Sequence, residues 1–223
     1  MTSPTSAEQV AQYLHDNPGF FDAHAELLAS ITVPHPHGGR AVSLVERQVD
    51  LLRDKNKALE MRLAELLRLG QENDAIAEKL QRWTRDLLRA RDVRALPDVV
   101  VEGMTGGFSV PQVALRLWRV DAAHRDLPCA ADIEPEVLTL ADGIRQPYCG
   151  TNADFKAATW LPGGGAQTRS IALLALRVGA APEAFGLLVL GSPDPARFEG
   201  GMGTAFLERI AEISSAALSR LLG

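Results

Sequence analysis

One stretch of this chain repeats its apolar residues at alternating spacings of four and three: Val45, Val49, Leu52, Asn56, Leu59, Leu63 and Leu66. Held over three heptads, that spacing predicts a helix with a narrow apolar seam that has to be buried against a partner helix. Asn56 is the exception, and it falls at an a position. A polar side chain there lowers stability, but it fixes register and favours two parallel strands, because each amide can bond its twin across the axis. The stripe therefore predicts a homodimer whose interface is made by Val45, Val49, Leu52, Asn56, Leu59, Leu63 and Leu66. No catalytic pattern of comparable definition occurs anywhere in the 223 residues.

Length and a hydrophobic content of 46% allow one ordinary domain with an extension, or two small domains with real cores. The net charge of −5 argues against a dedicated nucleic-acid binder. Residues 40–94 do carry 13 basic and 10 acidic side chains. Spread along a long helix, such a small excess reads as a solvated face, although Arg53, Lys55, Lys57 and Arg62 could in principle meet nucleic acid. Two cysteines, Cys129 and Cys149, have no CxxC or zinc spacing. The N-terminus shows no basic segment followed by an apolar one, and no apolar run is long enough to span a bilayer. A cytoplasmic protein with reduced, structural cysteines is the expectation.

Along the chain, Ser6 and Gln9 form a capping box that opens a short helix with Val10, Tyr13 and Leu14. Asn17-Pro18 predicts a stop and a second helix, with Asn17 as its N-cap and Pro18 at its first position. Pro34-His35-Pro36-His37-Gly38-Gly39 is a breaker. Its two histidines, with His24, could bind a metal, but no Cys or acid stands beside them, so no metal site is expected. Residues 1–39 thus read as a helical pair and a turn. Ser43 and Glu46 form a second capping box, opening a coiled-coil helix assigned to residues 40–91. After Leu66 the heptad positions fall on Gly70, Asn73 and Ala77, while Ile76, Leu80, Trp83 and Leu87 carry on an apolar stripe in shifted phase, like a stutter. Either the seam ends and the helix turns to pack on its own C-terminal domain, or the shift is a deformable joint.

Residues 92–223 read as a separate domain. Asp92 predicts an N-cap for a helix with Val93, Leu96, Val99, Val100 and Met104. In Gln112–Arg119, Val113, Leu115 and Leu117 alternate with Ala114, Arg116 and Trp118, as in a strand. Residues 134–143 suit a short helix. Ser170–Val178 and Phe185–Gly191 are apolar on both faces, so both faces should be covered. A connection of hairpin length joins them. Residues 199–222 predict an amphipathic closing helix. The fold class expected is α+β with a mainly antiparallel central sheet.

That order resembles a GAF domain, on Ser170-Ile-Ala-Leu-Leu-Ala-Leu, Ala184-Phe-Gly-Leu-Leu-Val-Leu-Gly-Ser192 and Arg197-Phe198. Over nearly the whole chain the sequence is also similar to the uncharacterised bacterial family DUF484. Val10, Tyr13-Leu14, Asn17-Pro18, Ala41–Gln48, Pro147-Tyr148-Cys149-Gly150 and Gly191-Ser192-Pro193-Asp194 carry that likeness. A GAF-like fold implies a ligand pocket between one sheet face and the irregular middle segment, roughly 129–160. The residues there that could line it are Tyr148, Cys149, Thr151, Asn152 and Trp160, with Arg116 from the strand before. Arg116 could meet an anionic group, or pair with a middle-segment acid. Tyr148 and Trp160 could equally be core.

Neither a dinucleotide fingerprint nor a P-loop is present: Gly103…Gly106-Gly107 follows no strand, and Gly163-Gly164-Gly165 lacks the Lys-Ser/Thr. No Ser/His/Asp assembly is visible. The expectation is a non-enzymatic, dimeric regulatory or sensory module. Its GAF-like domain could bind a small molecule, with cofactor, ligand and protein partner all unspecified. The alternative is a ligand-free interaction scaffold, whose middle cavity would be filled by side chains.

Overall fold

Two seven-residue strands, β5 (Ser170–Leu176) and β6 (Gly186–Ser192), sit at the centre because both of their faces are apolar. In the computed structural model, which describes residues 6–34, 41–200 and 204–223, every residue of β6 is buried. The side chains of 28–30, 32–34 and 41–46 lie outside that description. The chain divides into two compact units, Met1–Glu72 and Asn73–Gly223.

The second unit is built on a four-stranded antiparallel sheet in the order β3-β6-β5-β4, with β3 at Gln112–Leu117 and β4 at Tyr148–Thr151. Leu188 is the hub of the register, opposite Leu115 on one side and Leu174 on the other. Period-two alternation divides the strands between two cores. On one face, Leu115, Leu117, Leu174, Leu176, Leu188 and Leu190 pack with α5 (Leu96–Glu102) and α7 (Ala205–Leu218). Trp83 and Leu87, from the last turns of the long helix α4 (Leu44–Arg89), join this core. On the other face, Ile171, Leu173, Leu187 and Val189 meet α6 (Pro135–Gly143) and the 3-10 turn Lys156–Trp160. Burying each of these leucines contributes about 2 kcal/mol before the cost of ordering the chain.

Local chemistry sets the boundaries. Asp92 accepts from the Arg94 N–H and opens a 3-10 turn before α5, as its N-cap pattern predicts. The α5 end widens into a π turn at Gly103–Gly107. A Cβ on Gly103 would fall inside the Trp83 ring, so only glycine lets α5 approach α4 this closely. The closing helix begins at Ala205 rather than 199, with residues 201–203 outside the described set.

In the first unit, the Ser6–Gln9 capping box forms in both directions at the start of α1 (Ala7–Asp16). Asn17 departs from expectation. Its backbone and side-chain N–H groups both donate to the Tyr13 carbonyl, so it closes α1 instead of opening the next helix. An amide can satisfy the orphan carbonyls of a helix end as readily as the orphan N–H groups of a helix start, and Pro18 is equally at home after a stop. The following helix starts later and is broken at His24 into α2 (Phe20–Ala23) and α3 (Ala25–Ser30). A two-stranded ladder that the sequence pattern did not signal, β1 (Thr32–Pro34) with β2 (Ala41–Ser43), leads into α4. The His35–His37 segment and the side chains of the Ser43–Glu46 capping box lie outside the described residues.

Candidate functional site

The seam residues project from the part of α4 that belongs to the first unit, and they are bare. Leu52, Leu59, Leu63 and Leu66 are 65%, 63%, 57% and 61% exposed, and Val49 is exposed too. The side chain of Val45 is not described. Asn56 lies exposed in the same row. Ion pairs along this stretch stand clear of the seam. Arg68 bonds Glu65 at 2.8 Å and Glu72 at 2.5 Å, all three at the outer c and f positions, and the hydrogen bond and charge of Arg68 hold the Glu65 carboxyl below its ordinary range. Further along the same helix the pattern inverts: Trp83 and Leu87 are each only 4% exposed, and Leu80 packs against the same core. One helix thus carries an uncovered stripe and then a covered one. The last turns of the helix pack within the C-terminal unit.

The residues proposed to line a pocket in the middle segment are scattered over the sheet. Arg116 lies on edge strand β3 and donates from Nη1 to the Pro128 carbonyl at 2.5 Å, so its partner is a middle-segment carbonyl rather than an acid. Trp160 shares a shallow groove of about 330 Å³ with Arg116, Cys129 and Pro128. Tyr148 is on β4, at the opposite edge, with its ring edge-on to Phe155 and its hydroxyl donating to the Thr151 carbonyl at 3.4 Å. Cys149, the next residue along β4, packs with the opposite core. Thr151 is exposed. Asn152 follows the strand, with Nδ2 on the Thr168 carbonyl and Oδ1 buried without a partner. Two pairs of neighbours therefore come together, Arg116 with Trp160 and Tyr148 with Thr151, but the six do not share one pocket.

The sheet face that would floor such a pocket is covered by side chains. Ile171, Leu173, Leu187 and Val189 are completely buried beneath Val137, Ala141, Ala157, Ala158 and Leu161. Burial also governs the thiols. It pushes Cys129 up, aided by the charge of Asp98, and it alone pushes Cys149 up. Glu134 and Glu136, at the start of α6, both pair with Lys156, at 2.8 and 2.7 Å. Trp118 Nε1 donates to the Ala184 carbonyl at 2.7 Å, tying β3 to the turn before β6. Among the described residues no group of three His, Cys, Asp or Glu side chains could hold a metal ion, and no described helix is long and apolar enough to cross a membrane.

The sequence matches a known family almost from end to end. Residues 2–222 fit the family described as "Protein of unknown function, DUF484". The chain belongs to the DUF484 family. A relative of this DUF484 protein is the "Uncharacterized protein YigA" of Salmonella typhimurium, 25% identical over 95% of this chain and 90% of its own length. Among solved structures, the chain is similar to the GAF domain of an Acinetobacter phosphoenolpyruvate-protein phosphotransferase, with a TM-score of 0.47 and 14% identity over 65% of this chain and 92% of that one. It is also similar to the GAF domain of a putative sensor histidine kinase from Pseudomonas syringae, with a TM-score of 0.44 and 19% identity over 69% and 91%. A third is the free methionine-R-sulfoxide reductase of Neisseria meningitidis, with a TM-score of 0.46 and 19% identity over 65% and 88%. These likenesses concern the shape of the sheet and its helices, and no ligand or activity follows from them.

Proposed function

We propose that this DUF484 chain is a homodimeric, non-enzymatic regulatory module that works as an interaction scaffold: a parallel coiled coil over residues 45–66 joins two GAF-like domains. The exposed Val49–Leu66 stripe, on the same helix that buries Trp83 and Leu87, carries the proposal. Four leucines in one row, each more than half exposed, form an apolar strip that water disfavours, and a second copy covers it with no change elsewhere. Charge supports a parallel arrangement. Lys55 falls at a g position and Glu60 at the e position five residues on, which parallel strands bring together across the seam. Antiparallel strands would instead set Lys55 and Arg62 against cations of their own row.

The filled sheet face favours the scaffold over sensing by a ligand held between the sheet and the middle segment. The raised thiols leave both cysteines protonated near neutral pH and poor as nucleophiles. Light scattering on a size-exclusion column, followed by a native mass spectrum, tests the proposal. Twice the chain mass with nothing added is the expected result. A dimer carrying an extra small mass would move the function to sensing, and a monomer at tens of micromolar would reject the coiled coil.

A further inference from the structure

The short strand β4 leaves part of β5 without a neighbour on the side away from β6. Its ladder stops at the Tyr148–Leu173 pair, and the preceding Pro147 has no N–H with which to continue it. Beyond that point β5 runs on to Leu176 and is followed by Arg177, and a groove of about 680 Å³ opens between this outer edge, the loop Ile144–Pro147 and one side of α7. Arg145 and Arg177 both line it.

Arg177 is held rigidly. Its backbone N–H donates to Ser215 Oγ at 3.1 Å, and its Nη2 donates to the carbonyls of Ala141 and Asp142 at 2.8 and 2.9 Å, at the end of α6. Its Nε is buried and has no hydrogen-bond partner. Neither Arg177 nor Arg145 forms an ion pair with a carboxylate among the described residues, whereas Arg94, Arg119, Lys156 and Arg209 all do. Burial first, and then the charge of Arg145, lower the pKa of Arg177, with Asp142 opposing. Two guanidinium groups that line one groove without a carboxylate partner among the described residues, one of them fixed by neutral carbonyls, offer a place for an anion.

We propose that Arg145 and Arg177 form a binding site for a small oxyanion, the carboxylate or phosphate group of a soluble metabolite, in the groove between β5 and α7. The opposite wall limits what can enter. Glu208 accepts from Thr204 Oγ1 at 2.8 Å, and Glu212 pairs with Arg209 at 3.0 Å, so both acids are held along α7. With two acids beside the two arginines the groove carries no large positive field, which disfavours a polyanion such as nucleic acid and favours one small anionic head on a neutral or cationic body. The site is separate from the filled sheet face and does not depend on dimerisation.

Titrating the full-length protein with sodium phosphate, and separately with sodium succinate, against sodium chloride at equal ionic strength tests the site. Melting temperature and amide shifts are the readouts. A saturable rise in melting temperature in the millimolar range is expected, with shifts at the amides of Arg145, Gln146 and Gly179. A response to phosphate alone identifies a phosphoryl ligand, and to succinate alone a carboxylate. Arg145→Glu, on an exposed loop, should weaken binding about tenfold or more, and any change of the melting temperature in chloride should be upward, because the charge acting against Arg177 is reversed. Glu212→Gln should tighten it. No saturable response beyond chloride for either anion, or an Arg145→Glu variant that binds like the parent, overturns the proposal.

Discussion

Asn56 decides how the bare stripe can pair. Flanked by Leu52 and Leu59, each more than three-fifths exposed in the single chain, it would enter a dry seam when two copies meet. There its amide has one suitable partner, the same amide of the other strand, and only an in-register parallel pair brings the two together. Asn56→Val should raise the melting temperature and loosen the choice of oligomer, so that sedimentation shows trimers or larger species beside dimers. An unchanged profile would mean that Asn56 does not face a seam. At the same scale, burial raises both thiols. A thiol raised by folding favours the folded state below the ordinary thiol pKa of about 8.5, and that contribution is lost as pH rises through the folded value. Native Cys129 and Cys149 should therefore alkylate with iodoacetamide at pH 8 more slowly than free cysteine, and at its rate in denaturant. Native labelling at the free rate would show the thiols to be unshielded.

Helix α4 is one element with two environments, and its C-terminal end depends on Gly103. Trp83 lies on Gly103, donates Nε1 to the Val99 carbonyl at 3.3 Å, and meets Phe108 edge-on, which in turn meets Phe206 of α7. Gly103→Ala should cost about 1–3 kcal/mol in urea unfolding by forcing this indole off its contact, and should shift the tryptophan emission. A variant as stable as the parent would show that the indole can swing aside freely. Elements with a strong period are legible in the sequence. The alternation places Val113, Leu115 and Leu117 on one core and Ala114 and Trp118 on the other, and the doubly apolar β5 and β6 are covered on both sides. Short elements are not. Three-residue β1 ends in proline, and four-residue β4 looks irregular, so nothing in the pattern showed that Cys149 would face away from Tyr148. Arg145 and Arg177 are neighbours only because a loop and a strand end converge, a tertiary fact with no periodic trace.

At the scale of the whole molecule, the direction of the coiled coil determines where the two C-terminal units go, and charge makes that direction testable. In a parallel pair each Lys55 faces Glu60 of the other copy, twice by symmetry. In an antiparallel pair the g row, with Lys55 and Arg62, faces itself. Both Lys55 and Glu60 are exposed, so one pair alone is worth little and is screened by salt. Reversal is more informative than removal, because it replaces two attractions with two repulsions. Lys55→Glu and Glu60→Lys should each weaken the dimer roughly threefold to tenfold at low ionic strength, with the difference fading in half-molar salt. The double reversal should restore the parent affinity, since each new lysine again meets a glutamate. Measured by analytical ultracentrifugation across a dilution series, that recovery distinguishes the parallel register from every alternative. If the double variant dimerises no better than the worse single one, Lys55 and Glu60 do not face each other, and Asn56 must be paired in another way.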